Sequence, residues 1–374
     1  MIRRLRGLLA ALLILGIVGV TRAQDIVYYF DRASKKEQQY RGKIEEETPT
    51  GIKIQVKEGK EMVSKLVPGG IITWVFYEGA EVDKLTYRVP FSKEEKARGE
   101  TRPKQRGQLL TEALEGYTQL EMQTRAKPTV RRYFLYKMAE VAVLQAQDDP
   151  TRAETAIKLL SDFKAGNTNS WQIQPALKTL ARLQEEAGKF DDARKTYEEL
   201  ADLPDVPAAI KQESGVLVGK LLLRGNKYAE AEQRLQKLGS TLSAGDAQAP
   251  FVKAYLAECQ IGQNNLANVA RDLNEVIRSS SDPRLRGLAH NLLGEYYRKK
   301  GDAADAFWQY LRVDAVYNED AEEHARALYH LATLFDTVKK DPLRGKDCAS
   351  RLMDPRFAGT AYQRRLLQET KKTP

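Results

Sequence analysis

Near the N-terminus, apolar and polar residues alternate with a period of two. Ile52, Ile54 and Val56 alternate with polar residues, and the segment 71–77 is rich in β-branched and aromatic side chains. Both features are typical of short β-strands. Glycine or proline interrupts the pattern at 49–51, 58–60 and 68–70, which favours turns there. The pattern predicts five strands, at 26–30, 40–46, 52–56, 62–67 and 71–77.

Five strands this short bury enough apolar surface only by curling into a small barrel or by packing against a neighbour. The segments 40–44 and 50–54 resemble parts of SH3-like and Sm-like barrels. We therefore predict a small β-barrel-like module at 24–80. An Sm-like barrel would imply RNA as a ligand, but the export signal described below argues against nucleic acid. A packing or adaptor module is the favoured interpretation.

Residues 81–107 interrupt the alternation. They contain Pro90 and Pro103, and the four basic residues between 98 and 106 are opposed only by Glu100. Proline and uncompensated charge are typical of segments that join domains. The sequence therefore predicts a linker at 81–107.

From residue 108 onward the apolar period becomes that of α-helices, and one pattern recurs. Its clearest copy is 292–310, where Gly294 and Ala306 are small residues at which two helices would cross. The small residue of the second helix recurs at intervals of 37, 38, 38 and 37 residues, at Ala156, Ala193, Ala231, Val269 and Ala306. Four residues later stands a large side chain, namely Leu160, Tyr197, Leu235, Leu273 and Tyr310. Residues at i and i+4 share one helix face, so each pair predicts a seam between two helices.

The segment 292–310 resembles the tetratricopeptide repeat. The resemblance implies stacked helical hairpins, whose first helices have their small residues at Leu144, Ala181, Gly219, Ala257 and Gly294. Leu144 is larger than this pattern prefers. Single hairpins cannot bury both apolar faces, whereas stacked hairpins do. The predicted fold class is α+β, with the β module followed by an α-solenoid of about five such hairpins at 108–368 and a basic tail at 369–374.

The resemblance also implies a concave groove, lined by the first helices, that holds a protein or peptide. The residues that match groove positions are Lys178, Arg182, Lys220, Arg224, Asn291, Glu295 and Arg298. Their surplus of cationic and amide groups would suit an acidic segment of a partner. The alternative is that these residues form ordinary solvated helix faces.

The 374-residue chain has a net charge of +9, and this excess of positive charge lies at its two ends. Residues 1–23 combine a basic start, an apolar stretch and small residues at Thr21 and Ala23, which predicts a secretory signal peptide cleaved after Ala23. The apolar stretch is shorter than a membrane-spanning helix requires. We expect an exported, periplasmic or cell-envelope protein without stable membrane insertion. An uncleaved N-terminal membrane anchor is the alternative.

Catalytic and metal-binding motifs are sparse. The chain has 3 His and 2 Cys, and it lacks the Gly-x-Ser-x-Gly, His-Glu-x-x-His and Gly-rich phosphate-binding patterns. We predict no catalytic residues, no metal site and no cofactor, and we expect Cys259 and Cys348 to be unbonded. The favoured function is a non-enzymatic exported scaffold or adaptor that binds protein. Two alternatives stay open: a periplasmic assembly factor for outer-membrane or pilus biogenesis, and an enzyme with its site in the β module.

Overall fold

Residues 25–76 form one sheet of five strands. The computed structural model describes residues 24–80, 82–204, 206–243 and 245–370. The strands are β1 (Asp25–Asp31), β2 (Lys36–Thr48), β3 (Gly51–Glu58), β4 (Glu61–Pro68) and β5 (Ile72–Phe76). The five strands that the alternation predicts are confirmed; β1 to β4 are longer than predicted, and β5 is shorter.

The sheet is antiparallel and open. Its order is β4-β3-β2-β1-β5, so β4 and β5 form the two edges. The prediction of a barrel-like module is therefore wrong, because the sheet does not close into a barrel. The reason is that helices, rather than the sheet's own curvature, cover its apolar face. Ile52, Ile54 and Trp74 belong to one buried cluster with Tyr87 and Phe134, which lie in the helices at 84–99 and 128–148.

The outer edge of β5 is closed by two tyrosines from the helical part. The Tyr87 hydroxyl donates to the Val75 carbonyl at 2.9 Å. The Val75 amide donates to the Tyr133 hydroxyl at 3.4 Å. An unpaired buried backbone group is costly, so these side chains complete the hydrogen bonding that a further strand would otherwise supply.

The rest of the described chain is helical. The helices are α1 (Lys84–Gly99), α2 (Pro103–Gln123), α3 (Pro128–Asp148), α4 (Ala153–Gly166), α5 (Ile173–Glu186), α6 (Phe190–Asp202), α7 (Ala208–Arg224), α8 (Tyr228–Gly239), α9 (Ala249–Gly262), α10 (Val269–Ser279), α11 (Pro283–Lys299), α12 (Ala303–Val316), α13 (Ala321–Lys339), α14 (Pro342–Leu352) and α15 (Ala361–Thr370). Consecutive helices from α1 to α14 pack against one another as a continuous array.

The predicted linker at 81–107 is wrong, because it contains α1 and the start of α2. Asp83 begins α1 by accepting hydrogen bonds from the amides of Leu85 and Thr86, both at 3.0 Å. A carboxylate at this position satisfies amides that have no partner within the helix. Pro90 lies inside α1, buried against Gly116 of α2, where an added Cβ would lie 2.9 Å from the Pro90 Cβ. The helical array thus begins before residue 108 and joins the sheet directly.

The recurring small residues lie where the sequence predicts them. Ala193, Ala231 and Ala306 are completely buried, as are the corresponding residues Ala156 and Val269. In the facing first helices, a Cβ added to Gly294 would lie 2.6 Å from Tyr310 Cζ, and one added to Gly219 would lie 2.5 Å from Leu235 Cδ2. The predicted helix crossings are therefore confirmed as close contacts.

In the first repeat, the residue of the first helix that faces the second helix lies one position earlier than the sequence predicts. Val143, rather than Leu144, belongs to the cluster that joins α3 to Ala156 of α4, and Leu144 belongs to the cluster of the sheet. The turn from α3 to α4 spans 149–152, whereas the turns before α6, α8 and α12 each span three residues. One extra residue turns the neighbouring side chain toward α4.

The C-terminal end contains one further hairpin, α13–α14, followed by a short 3-10 turn at Pro355–Phe357 and by α15. The predicted tail at 369–374 overlaps the end of α15, and residues 371–374 lie outside the described residues, as does the predicted signal peptide at 1–23. Among the helices described, none combines the length and the apolar character needed to cross a membrane.

Candidate partner-binding groove

The first helices of successive repeats face a common cavity of about 570 Å³. Side chains from α5, α7, α9, α11 and α13 line it, and the segment 358–364 crosses one side. The repeats turn by a small angle relative to one another, so that their first helices approach across the inside of the solenoid. The concave surface that the tetratricopeptide resemblance implies is therefore present.

The apolar part of the cavity comes from several repeats. Val216 and Leu217 of α7 lie beside Phe251 and Tyr255 of α9, with Leu288 of α11 next to them. Val216 is buried, whereas Leu217 and Phe251 are half-buried. Apolar surface with a few polar groups around it is the usual composition of a binding pocket. Here it provides a place for an apolar side chain of a bound segment.

Three of the predicted groove residues line this cavity, and each is paired with a carboxylate. The Lys220 Nζ lies 2.9 Å from Glu185 Oε1 of the neighbouring repeat. Arg182 pairs with Glu186 on its own helix at 2.6 Å. A free cationic surface is therefore absent at these positions. The expectation that the groove selects an acidic segment stays a prediction, and these three pairs do not themselves provide the surplus of positive charge on which it depends.

Arg224 forms the longest-range of these pairs. Its Nη1 lies 2.7 Å from Glu322 Oε1 of α13, across the concave face from α7. Burial alone would lower the pKa of Arg224, but the Glu322 carboxylate raises it. The pair divides the concave surface, because both residues line the first cavity and also a second one of about 410 Å³.

A buried arginine organises the second cavity. Arg326 of α13 lies 2.9 Å from Glu295, 3.4 Å from Glu258 and 3.7 Å from Glu323. Burial raises the pKa of Glu258 and of Glu323, whereas Arg326 and His330 hold the pKa of Glu295 below its ordinary value against the effect of burial. Breaking a buried ion pair by removing one partner leaves an uncompensated charge, which is costly. This cluster therefore fixes α9, α11 and α13 relative to one another.

The other predicted groove residues have different positions. Glu295 is a member of the Arg326 cluster. Asn291 is fully buried and donates to the Glu323 carboxylate at 2.7 Å, so it is a structural residue. Lys178 is exposed on α5 and pairs with Glu213 at 2.8 Å. Arg298 is exposed on α11, lines neither cavity and forms no ion pair with any residue that the structure describes.

The sequence did not point to the acidic and C-terminal residues of the groove. Glu322, Glu323 and Arg326 lie in α13, and Arg364 and Arg365 lie in α15; all five line at least one of the two cavities. The available signal was the acidic start of α13, where Asp320 caps the helix by accepting from the Glu322 and Glu323 amides at 2.9 and 3.0 Å. That pattern marks a helix start but does not show that the helix faces the groove.

The described residues contain no group of three or more His, Cys, Asp or Glu side chains placed to hold a metal ion. Cys259 and Cys348 are both buried and unbonded, as expected. Burial raises the pKa of the Cys259 thiol to about 12. A thiol in this state is a poor nucleophile.

Comparison with known proteins gives a fold likeness. Neither a protein-family model nor a curated protein sequence matches the chain. Among solved structures, a tetratricopeptide repeat protein from Parabacteroides merdae is 18% identical, with a TM-score of 0.54, and the match covers 75% of this chain and 97% of that one. BtubC from P. vanneervenii is 15% identical over 65% of this chain and 92% of that one, with a TM-score of 0.36. The TPR domain of P58(IPK) is 15% identical over 69% of this chain and 80% of that one, with a TM-score of 0.29. The first of these likenesses shows that the fold of the helical part is tetratricopeptide-like.

Proposed function

We propose that this chain is a non-enzymatic interaction scaffold that binds a segment of another protein in its concave groove. The observation that carries the proposal is the shared cavity, to which the first helices of successive repeats each contribute side chains. A groove of this kind holds a helix or an extended peptide through apolar anchors and surrounding polar contacts. The paired charges along its walls would fix the orientation of the bound segment.

A photo-crosslinking amino acid placed inside the groove tests this proposal in cells. Position 217 is suitable because Leu217 is half-buried and lines the cavity. Position 158 is the matched control, because the Lys158 side chain is 75% exposed on α4 and lies outside both cavities. We expect a discrete cross-linked protein from position 217 and none of the same mass from position 158.

A second variant connects the cross-link to the groove surface. Phe251→Ala removes an aromatic ring from the cavity lining, and truncation of an aromatic hot-spot residue of an interface costs about 2 kcal/mol of binding or more. The cross-link from position 217 should then weaken strongly while the far-ultraviolet circular dichroism spectrum is unchanged. Equal cross-linking from positions 217 and 158, or none from either, would contradict the proposed function.

We further propose that the scaffold acts after export. Residues 1–23 support this proposal by their basic, apolar and small-residue segments. N-terminal sequencing of the protein recovered from the periplasmic fraction should begin at Gln24. Recovery of the uncut chain in the membrane fraction would instead favour an N-terminal anchor, and recovery in the cytoplasm would oppose export.

A further inference from the structure

The last helix of the chain leaves the path of the repeat stack. The first helices α5, α7, α9, α11 and α13 each pack on the second helix of the preceding hairpin. In contrast, α15 packs mainly on α13, a first helix, and so lies on the concave side. Gly359 provides the turn with a φ of +81°, a conformation that glycine adopts readily. The chain therefore folds its own C-terminal helix into the groove.

The N-terminus of α15 is held by the same carboxylate that bridges the groove. The Ala361 amide donates to Glu322 Oε1 at 3.2 Å, and that oxygen also accepts from Arg224 at 2.7 Å. A carboxylate is favoured at a helix N-terminus, where amides lack partners and the helix dipole is positive. Glu322 thus recognises both a cation from α7 and the start of a helix.

Side chains of α15 contact α13 through aromatic and cation–π contacts. The Tyr362 ring lies 5.5 Å from the Tyr329 ring and 5.8 Å from the His330 ring, measured between centroids. The Arg365 guanidinium lies 4.9 Å from the Tyr329 ring centroid. On the opposite wall, a Cβ added to Gly188, in the turn before α6, would lie 3.3 Å from Arg364 Nη1. The helix therefore spans the groove from α13 to the α5–α6 turn.

The charges of the groove and of α15 are complementary. Apart from α15, the first cavity has six carboxylates and four cations, and the second has four carboxylates and three cations. Arg364 contributes a cation to the first cavity, and Arg365 contributes one to the second. The groove is therefore suited to a helix that carries cations. This is the opposite sign from the one that the sequence predicted for the partner.

The helix α15 is held less firmly than the helices of the stack. Of its ten residues only Gln363 is buried, whereas nine residues of α13 are buried. A terminal helix with little buried apolar surface opens locally at low free-energy cost. Release of α15 would therefore cost less free energy than the opening of a helix of the stack such as α13.

We propose that the surface covered by α15 is the docking site for a cationic amphipathic helix of the partner protein, and that α15 occupies this site until the partner displaces it. The proposal rests on the proposed function, since it names the class of segment that the groove binds. The partner helix carries an aromatic residue followed by arginine or lysine, in the arrangement of Tyr362, Arg364 and Arg365.

Binding of a labelled peptide tests this exchange. The probe is a fluorescent peptide of residues 358–370, added to the purified full-length chain and to its Tyr362→Ala/Arg365→Ala variant. When an internal segment occupies the site, the apparent affinity falls by the fraction of free sites. We expect the variant chain to bind the peptide about tenfold more tightly than the native chain, by fluorescence anisotropy. A peptide with Arg364→Glu and Arg365→Glu should not bind either chain.

Two controls keep the outcome decisive. The exposed residue Lys346 of α14 provides a matched variant, Lys346→Ala, which should bind the peptide as the native chain does. A chain that ends at Ala358 provides a second, independent release of the site and should bind like the double variant. Equal affinity of the native chain, the double variant and the truncated chain would overturn the proposal, as would binding of the charge-reversed peptide.

The cellular cross-link separates this inference from the proposed function. The Tyr362→Ala/Arg365→Ala variant should increase the cross-link from position 217. An unchanged cross-link would overturn displacement of α15 while leaving the scaffold function intact. Loss of the cross-link in the native chain and in the variant alike would contradict the proposed function itself.

Discussion

The contact between Gly294 of α11 and Tyr310 of α12 provides the sharpest test of the repeat packing. In a Gly294→Ala variant the new methyl group would lie 2.6, 2.7 and 2.9 Å from three atoms of the Tyr310 ring. The ring has little freedom to move, because Tyr310 is fully buried and its centroid lies 4.6 Å from that of His330. The two helices must therefore separate, or the ring must leave its rotamer.

Two opposing effects set the size of the change. Overpacking a well-packed core costs about 1–3 kcal/mol. Replacing glycine by alanine inside a helix returns up to about 1 kcal/mol. The expected result is a net loss of about 1–2 kcal/mol in the free energy of unfolding. A Gly219→Ala variant should lose less, because the atoms that it would approach belong to the flexible end of Leu235.

Urea unfolding followed by circular dichroism at the helical band measures these differences. Gly166→Ala, at the end of α4, is the matched control because no atom lies within 4 Å of its added Cβ. It should be neutral or slightly stabilising. If Gly294→Ala proves as stable as Gly166→Ala, α11 and α12 do not cross at this residue. In a Tyr310→Leu background the cost of Gly294→Ala should shrink, since the ring that it meets is gone.

Four further predictions concern the N-terminal core and one buried thiol. The Glu94 carboxylate lies 2.9 Å from Lys137 Nζ, so Lys137→Met leaves a buried carboxylate with one cation fewer. The free energy of unfolding in urea should fall by about 3–5 kcal/mol. Adding Glu94→Gln should recover part of this loss, and no recovery would contradict the pairing. Burial alone would raise the pKa of Glu94, but the neighbouring cations hold it below its ordinary value of 4.5. The stability that the ionised form contributes is therefore present above that pH and is lost as the pH falls below it. The free energies of unfolding of the native and Glu94→Gln chains, measured over a pH series, should converge in acid. Tyr87→Phe removes the donor to the Val75 carbonyl and should cost about 1 kcal/mol in the same assay, whereas an unchanged midpoint would show that the β5 edge needs no cap. The buried Cys259 thiol, with its pKa raised to about 12, should resist iodoacetamide in the folded chain and react once urea is added, and rapid labelling of the folded chain would contradict its burial.

The sequence was sufficient for the elements whose pattern is local. The five strands follow from the alternation of apolar and polar residues, and the helix crossings follow from small residues spaced by 37 or 38 positions. The helix α1 was missed because its proline and basic residues resemble those of a linker. Its buried face, at Tyr87, Pro90, Glu94 and Ala97, does have helical spacing, but one of those residues is charged and another is a proline. Such a face can be recognised as buried only when Lys137, the buried partner of Glu94, is known.

The groove depends on quantities that no local pattern contains. Arg224 and Glu322 are 98 residues apart in sequence, and whether they meet is set by the small rotation between successive hairpins, summed over three repeats. The sequence therefore identified cations on the concave helices but not the carboxylates that neutralise them. For the same reason it included residues 361–368 in the solenoid and could not place α15 across the cavity.

The shared core of the sheet and the first three helices determines where the protein can be divided. Ile52 and Trp74 pack in one cluster with Leu110 of α2 and Phe134 of α3. A cut at residue 81 or 90 would expose apolar surface on both pieces, and each would tend to aggregate. A boundary after α4, at about residue 167, would cut this core as well, because Trp171 belongs to the same cluster and Leu160 of α4 packs in another cluster with Leu180 of α5. The sheet accordingly covers the apolar surface at the N-terminal end of the helical array. Activity measured on an isolated fragment of the strands would say little about the native protein.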